Sequence, residues 1–167
     1  IIPQALCHEY GATGPVLRGS GISHDLRKDK PYSIYSELEF NIPVGEGSVG
    51  SVGDCWDRYY VRMVEMRESI KIIKQCLDGI EDGEVMAKVS KVIKPPAGEI
   101  YVKTEAPKGE IGYHLISDGK KNPYRLKVKS PCFTHVSMVP ELAPGMMIAD
   151  LVALIGSLDI VLGEVDR

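Results

Sequence analysis

Four cysteines, four histidines and a set of arginines on one predicted helix are the residues of this chain with chemical potential, and their spacing decides what each group can do. Cys7, Cys55, Cys76 and Cys132 stand far apart with no CxxC among them. That excludes a zinc ribbon, a dithiol redox motif and an iron–sulfur binding pattern, and points to reduced, partly buried thiols in a cytosolic setting. His8, His24, His114 and His135 include no pair at i, i+3 or i+4, so no helix presents two imidazoles to one metal. A structural or surface role is the reading for each. Gly45-x-Gly47-x-x-Gly50 matches the dinucleotide fingerprint and sits between a predicted strand and a predicted helix. That fingerprint also needs a second parallel strand ending in an acidic residue about 20 positions on. Here that distance falls at Glu65 or Glu68, inside the helix, so a flexible surface loop is the better reading.

Two further groups have more than one reading. Arg58 and Arg62 lie one turn apart, with Glu65 and Asp54 within reach of the same side. Either they form a solvated face, with pairs worth about 0.3–0.5 kcal/mol each, or they are buried against the loops that carry Arg18 and Arg27. Asp159 follows an apolar helix and precedes two apolar residues. A carboxylate there either caps the next turn, the favoured reading, or faces an internal cavity where burial raises its pKa and suits it to proton chemistry.

The element that must position these groups is the stretch from Gly53 to Gly79. Met63, Met66, Ile70, Ile73 and Leu77 recur at spacings of 3 and 4, one apolar stripe of a helix, which Trp56, Tyr59 and Tyr60 extend backwards. Asp54 suits the N-cap, Asp57 the positive end of the helix, and Gly79 the C-terminal stop. The helix would be roughly 37 Å long. Residues 1–10 read as a short helix, Gly11–Gly21 as a glycine-rich loop and Glu37–Val44 as a strand. Val85–Ile93 is compatible with a strand or a short helix. Glu99–Lys103, Glu110–Ser117 and Tyr124–Lys129 read as an antiparallel meander, with Asp118-Gly119 starting its second turn. Residues 133–143 contain a short helix interrupted by Pro140. Gly145–Leu158 is a second helix, with Ile148, Leu151, Val152, Ile155 and Leu158 on one side.

With 167 residues, 44% hydrophobic and 26% charged, the chain has the composition of one soluble globular domain, 1–167. A net charge of −3 argues against a nucleic-acid partner. No apolar run reaches the about 18 residues of a membrane span, and no signal peptide is visible. The opening Ile1-Ile2-Pro3 suggests a fragment of a longer protein. Pattern and spacing alone give a soluble α+β domain without a recognisable active site.

Five stretches together resemble one family: GATGPVLRGSG (11–21), DLRKDKPY (25–32), GDCWDRYYVRMVEMRESIKIIKQ (53–75), EAPKGEIGYHLISDG (105–119) and IADLVALIGSLDIVLGEVDR (148–167). The likeness is to the C-terminal part of the D-type subunit of respiratory complex I, the hydrogenase-like, quinone-site subunit of NADH–quinone oxidoreductase. It covers almost the whole chain in order, including the closing VDR. The resemblance implies an α+β, mainly helical fold like that of the nickel–iron hydrogenase large subunit, with a small antiparallel sheet. Hydrogenases of that type end in DPCxxCxxH or DPCxxCxxR. Laid on this chain, the pattern starts at Asp159, the cysteine positions become Val161 and Glu164, and the last basic residue is Arg167. Thiolates are needed to hold such a centre and valine ligates nothing, so no nickel or iron is expected.

The resemblance places Asp159 and Val161 at or near the quinone pocket. It makes Arg18, Arg58, Arg62, Glu65, Arg67 and Arg167 a charge network facing protein rather than water. It implies quinone as substrate, with NAD and iron–sulfur clusters bound by other subunits and no cofactor on this chain. The implied partners are the cluster-bearing small subunit, the C-type subunit and the membrane channel subunit. The implied place is peripheral, on the cytoplasmic side of the cell membrane or its matrix or stroma equivalent. A related membrane oxidoreductase fed by a deazaflavin or ferredoxin, or a scaffold fragment for assembly, are the alternatives.

Overall fold

The computed structural model describes residues 1–166, and Arg167 lies outside them. The long helix, α4, runs from Cys55 to Gly79. Asp54 caps it as the sequence predicts, its carboxylate accepting the Asp57 N–H at 2.8 Å. The orientation of α4 decides between the two readings of its charged face. Asp57, Arg58, Val61 and Glu68 are its buried residues, whereas the apolar stripe points outward, from Met63 at 39% exposure to Leu77 at 67%. Positions 57/58, 61, 65 and 68 also recur with the helical period. Two stripes therefore compete on this helix, and the charged one is buried because its charges find partners on neighbouring elements.

Those neighbours are short helices ahead of α4. α1 (Gln4–Tyr10) is followed by α2 (Gly14–Gly19). The predicted glycine-rich loop is thus in part a helix, with Pro15 in its first turn, where a missing N–H costs nothing. Every residue of α2 is buried, and its glycines allow close approach rather than loop flexibility. A Cβ on Gly19 would meet the Arg58 side chain at 2.7 Å. α3 (Leu26–Asp29) is capped by Asp25, and a 3-10 turn follows at Tyr35–Glu37.

The strand predicted at 37–44 does not form. Leu38 and Phe40 are buried as the alternation suggests, but the extended backbone pairs with side chains of α4. Glu39 N–H donates to Gln75 at 2.8 Å and Asn41 N–H to Glu68 at 2.9 Å. Residues 80–97 form neither strand nor helix.

The meander is present as β1 (Gly98–Ala106), β2 (Gly109–Ser117) and β3 (Arg125–Lys129), in the order β1-β2-β3 and antiparallel throughout. Ala106 pairs with Gly109, so Pro107 and Lys108 form a two-residue hairpin turn. α5 (Pro131–Ser137) and α6 (Val139–Leu142) replace the single interrupted helix. α7 (Ile148–Leu158) buries Leu154 and Leu158 and packs Leu151 against the core, while Ile148, Val152 and Ile155 of the predicted side face outward. α8 (Leu162–Val165) ends the described chain. The core joins Ile2, Cys7, Ala12, Val16, Leu17, Met138, Leu154 and Leu158, packing α1, α2 and α7 together.

Candidate functional site

Arg18 stands at the centre of a buried charge cluster. Its Nε donates to Glu65 of α4 at 2.7 Å, and its Nη1 donates to Glu105 of β1 and to the His24 carbonyl, both at 2.8 Å. Asp25 lies 3.4 Å from the same Nη1. Burial works against the Arg18 charge, but Glu65, Glu105 and Asp25 outweigh it and raise its pKa. Asp25 also accepts from Arg27 through Nε at 2.9 Å and Nη2 at 2.6 Å. Burial alone would raise the Asp25 pKa, yet Arg27 and Arg18 hold it below the ordinary value. Glu65 differs: burial raises it, and Arg18 offsets only part of the rise.

Arg58 is fully buried, and no carboxylate bonds it among the described residues. Its Nη1 donates to the Gly53 carbonyl at 2.6 Å, and Nε and Nη2 donate to Ser157 Oγ of α7 at 3.0 and 2.8 Å. Nη2 also reaches Cys55 Sγ at 3.2 Å. Burial lowers the Arg58 pKa. One turn on, Arg62 donates to the carbonyls of Arg58, Ser157 and Leu158 at 2.8–3.2 Å. Its buried Nε makes no hydrogen bond and lies 3.4 Å from Asp159.

Asp159 ends α7 in the left-handed region, at φ 55°. It carries an ion pair with Lys108 of the hairpin turn besides the one with Arg62. These charges border a cavity of about 640 Å³, within the usual range for a small-molecule site. Tyr59, Met63, Met66 and Pro107 give it apolar wall, and Arg18, Arg27, Arg62, Lys108, Glu65, Glu105 and Asp159 line the rest. Val161 is not among the lining residues. It is 43% exposed, and its N–H points to Cys132 Sγ at 3.4 Å. Arg67 is exposed with no ionic partner among the described residues, so it stands apart from the cluster. Arg167 lies outside the described residues.

The residues present do not suit a nickel–iron centre. Val161 offers no donor, Glu164 accepts from Ser130 at 3.4 Å, and no group of three His, Cys, Asp or Glu converges among the described residues. The glycine fingerprint is occupied from within. Asp57 accepts the Gly47 N–H at 3.0 Å and the Gly53 N–H at 3.4 Å, taking amides that a phosphate would need. Gly45 and Gly53 are buried at the ends of this loop, while residues 48–52 between them are exposed, as the surface reading expects.

Sequence reasoning missed Lys108, Glu105, Asp25 and Ser157. Asp25, between His24 and a short helix, carried a capping signal. Lys108 gave none, because its place depends on a hairpin that meets α7 51 residues further along the chain.

The family model for the 49 kDa subunit of respiratory-chain NADH dehydrogenase matches residues 1–96 and 87–167. The chain belongs to this family. Among its curated relatives, the second of the D-type subunits of NADH-quinone oxidoreductase from Solibacter usitatus is 53% identical over 96% of this chain and 42% of its own length. The D-type subunit of Chlorobaculum tepidum is 50% identical over 100% of this chain and 43% of its own. That of Dehalococcoides mccartyi is 46% identical over 100% and 44%. The chain therefore spans well under half the length of the relatives it matches. No helix among the described residues is long and apolar enough to cross a membrane.

Proposed function

We propose that this chain forms part of the quinone-reducing module of an NADH–quinone oxidoreductase and contributes one wall of the quinone pocket. The observation that carries this reading is the cavity beside Asp159, in a chain of the 49 kDa family, with an apolar wall on one side and ionised groups on the other. A quinone headgroup is flat and apolar with two carbonyl acceptors, so it suits such a mixed surface. Its reduction takes two electrons and two protons. The electrons arrive from iron–sulfur clusters on other subunits, and NADH binds elsewhere. This chain's residues orient the headgroup and hold charge near it. The hydrogenase-like fold, the neighbouring small, C-type and membrane channel subunits, and a peripheral site on the membrane belong to the same proposal.

The test uses the intact complex. Asp159→Asn removes the carboxylate from between Lys108 and Arg62, and Val161→Met enlarges the residue two positions on. Asp159→Asn is expected to raise the quinone KM or change inhibitor sensitivity about tenfold, the loss of one charge-assisted contact, and a change in Val161→Met would extend the pocket beyond the residues that line the cavity. NADH oxidation by hexacyanoferrate, which bypasses the quinone, stays unchanged. Wild-type quinone kinetics and inhibitor sensitivity in both variants would remove the pocket role.

A further inference from the structure

We infer that Lys108 is the hydrogen-bond donor that holds one carbonyl oxygen of the quinone in this cavity, aimed by Asp159. This rests on the quinone reading above and adds a residue to it.

The first support is placement. Lys108 occupies the two-residue turn between β1 and β2, and the tip of that hairpin is wedged against α2. Gly14 and Gly109 meet backbone to backbone, so that a Cβ on Gly14 would strike Gly109, and both have positive φ, 65° and 134°. Thr13 Oγ1 accepts the Glu110 N–H at 2.9 Å and fixes the register of the contact. A lysine on an ordinary surface turn sweeps a wide arc. This one starts from a fixed backbone and is tied at its far end to Asp159, itself fixed at the end of α7.

The second support is an account of donors. Arg18 has its carboxylates and the His24 carbonyl. Arg27 is committed to Asp25 and lies over the Tyr35 and Phe40 rings. Arg62 gives its terminal nitrogens to three carbonyls. An ammonium has three N–H donors, and Lys108 uses its bond to Asp159 with no second acceptor among the described residues. The side chain is 20% exposed. Arg62 Nε is unpaired as well but buried, whereas the Lys108 ammonium can offer its remaining donors without breaking a bond to protein.

The third support is charge. Arg18, Arg27, Arg62 and Lys108 face Glu65, Glu105 and Asp159 in the cavity wall, and Asp25 stands behind Arg18 and Arg27. Four cations meet four carboxylates. A balanced cavity gives an anion such as phosphate little advantage and suits a neutral ligand with polar oxygens. A fixed ammonium beside such an oxygen gains strength as electrons arrive and negative charge develops there.

The experiment compares Lys108→Met, Lys108→Gln and Lys108→Arg in the intact complex, with a short-chain benzoquinone as acceptor and hexacyanoferrate reduction as the measure of assembly. Met66→Trp reports on the cavity, and Lys120→Met, on an exposed turn, is the surface control. Lys108→Met is expected to raise the quinone KM tenfold or more. Lys108→Arg, which keeps a cationic donor, returns it to within about threefold of wild type, with Lys108→Gln between the two. Should the Met variant fail to assemble, the order Arg before Gln carries the same information. Lys108→Met within twofold of wild type, or Lys108→Arg no better than Lys108→Gln, overturns the proposal. Altered kinetics in Met66→Trp with normal kinetics in Lys108→Met would retain the cavity and discard Lys108. Normal kinetics in both would discard the cavity as the quinone site.

Discussion

Arg18 and Arg58 are two buried arginines solvated in opposite ways, with Gly19, the residue after Arg18, packed against the Arg58 side chain. Arg18 sits among Asp25, Glu65 and Glu105, which come from a loop, from α4 and from β1. Arg58 sits among a carbonyl, a hydroxyl and a thiol. The first arrangement is a cross-tie. It brings three separate elements to one cation. The second is a cation held by dipoles, whose partners are already provided for. Gly53 O also accepts from Ile2 N–H at 2.7 Å, and Ser157 Oγ donates to Leu154 O at 2.7 Å. Equal burial therefore does not mean equal importance.

Arg18→Met is the strongest test of that contrast. It leaves Glu65 and Glu105 without the guanidinium that both bond, while Asp25 keeps Arg27, and breaking a buried charge network from one side costs about 3–5 kcal/mol. The full-length subunit is expected to lose most of its urea resistance, and a change below about 1 kcal/mol would erase the cross-tie.

Acid probes the other side next. His135 is fully buried, its Nε2 against the Thr13 carbonyl at 3.1 Å and its Nδ1 without a partner. Burial lowers its pKa from 6.5 to about 4, the Arg62 charge acting in the same direction. The unfolded chain therefore binds a proton that the folded chain refuses. This contribution is complete above pH 6.5 and is lost as pH falls towards 4, by about 3 kcal/mol. Urea midpoints across that window should fall in the wild type and flatten in His135→Leu. Parallel slopes would show that the arginine-rich side tolerates another positive charge.

A smaller effect is expected for Arg58→Met. Since its partners keep other hydrogen bonds and an apolar side chain avoids the desolvation cost, stability should change by less than about 1.5 kcal/mol in either direction. A loss as large as that of Arg18→Met would collapse the distinction. Arg67→Ala, on the exposed side of the same helix, should stay within about 0.5 kcal/mol by the same denaturation measurement.

The sequence resolved the periodic and locally signalled parts of the fold. The three strands, the Asp54 cap and the extent of α4 follow from alternation, 3.6-residue spacing and side chains acting within a few positions. It failed where contacts are long-range. The inward face of α4 stays ambiguous in the sequence, which leaves a solvated and a buried reading of Arg58 and Arg62 open, because Arg58 and Glu65 meet partners 99 and 47 residues away. α2 was hidden because glycine that admits a neighbour and glycine that loosens a loop look alike in one dimension. Asp159 was legible as a carboxylate in an unusual place, but Lys108 opposite it was not.

The outward stripe of α4 has a practical consequence for handling the chain. From Met63 to Leu77 it is an oily ribbon roughly 21 Å long, and its far half, Ile70, Ile73 and Leu77, lies beyond the cavity. Water against such a ribbon is unfavourable by about 25 cal/mol for each Å², whereas the helix itself is anchored by ions on its other side. An exposed ribbon of this kind is expected to draw copies of the piece together as concentration rises, which light scattering across a dilution series, with and without mild detergent, would check.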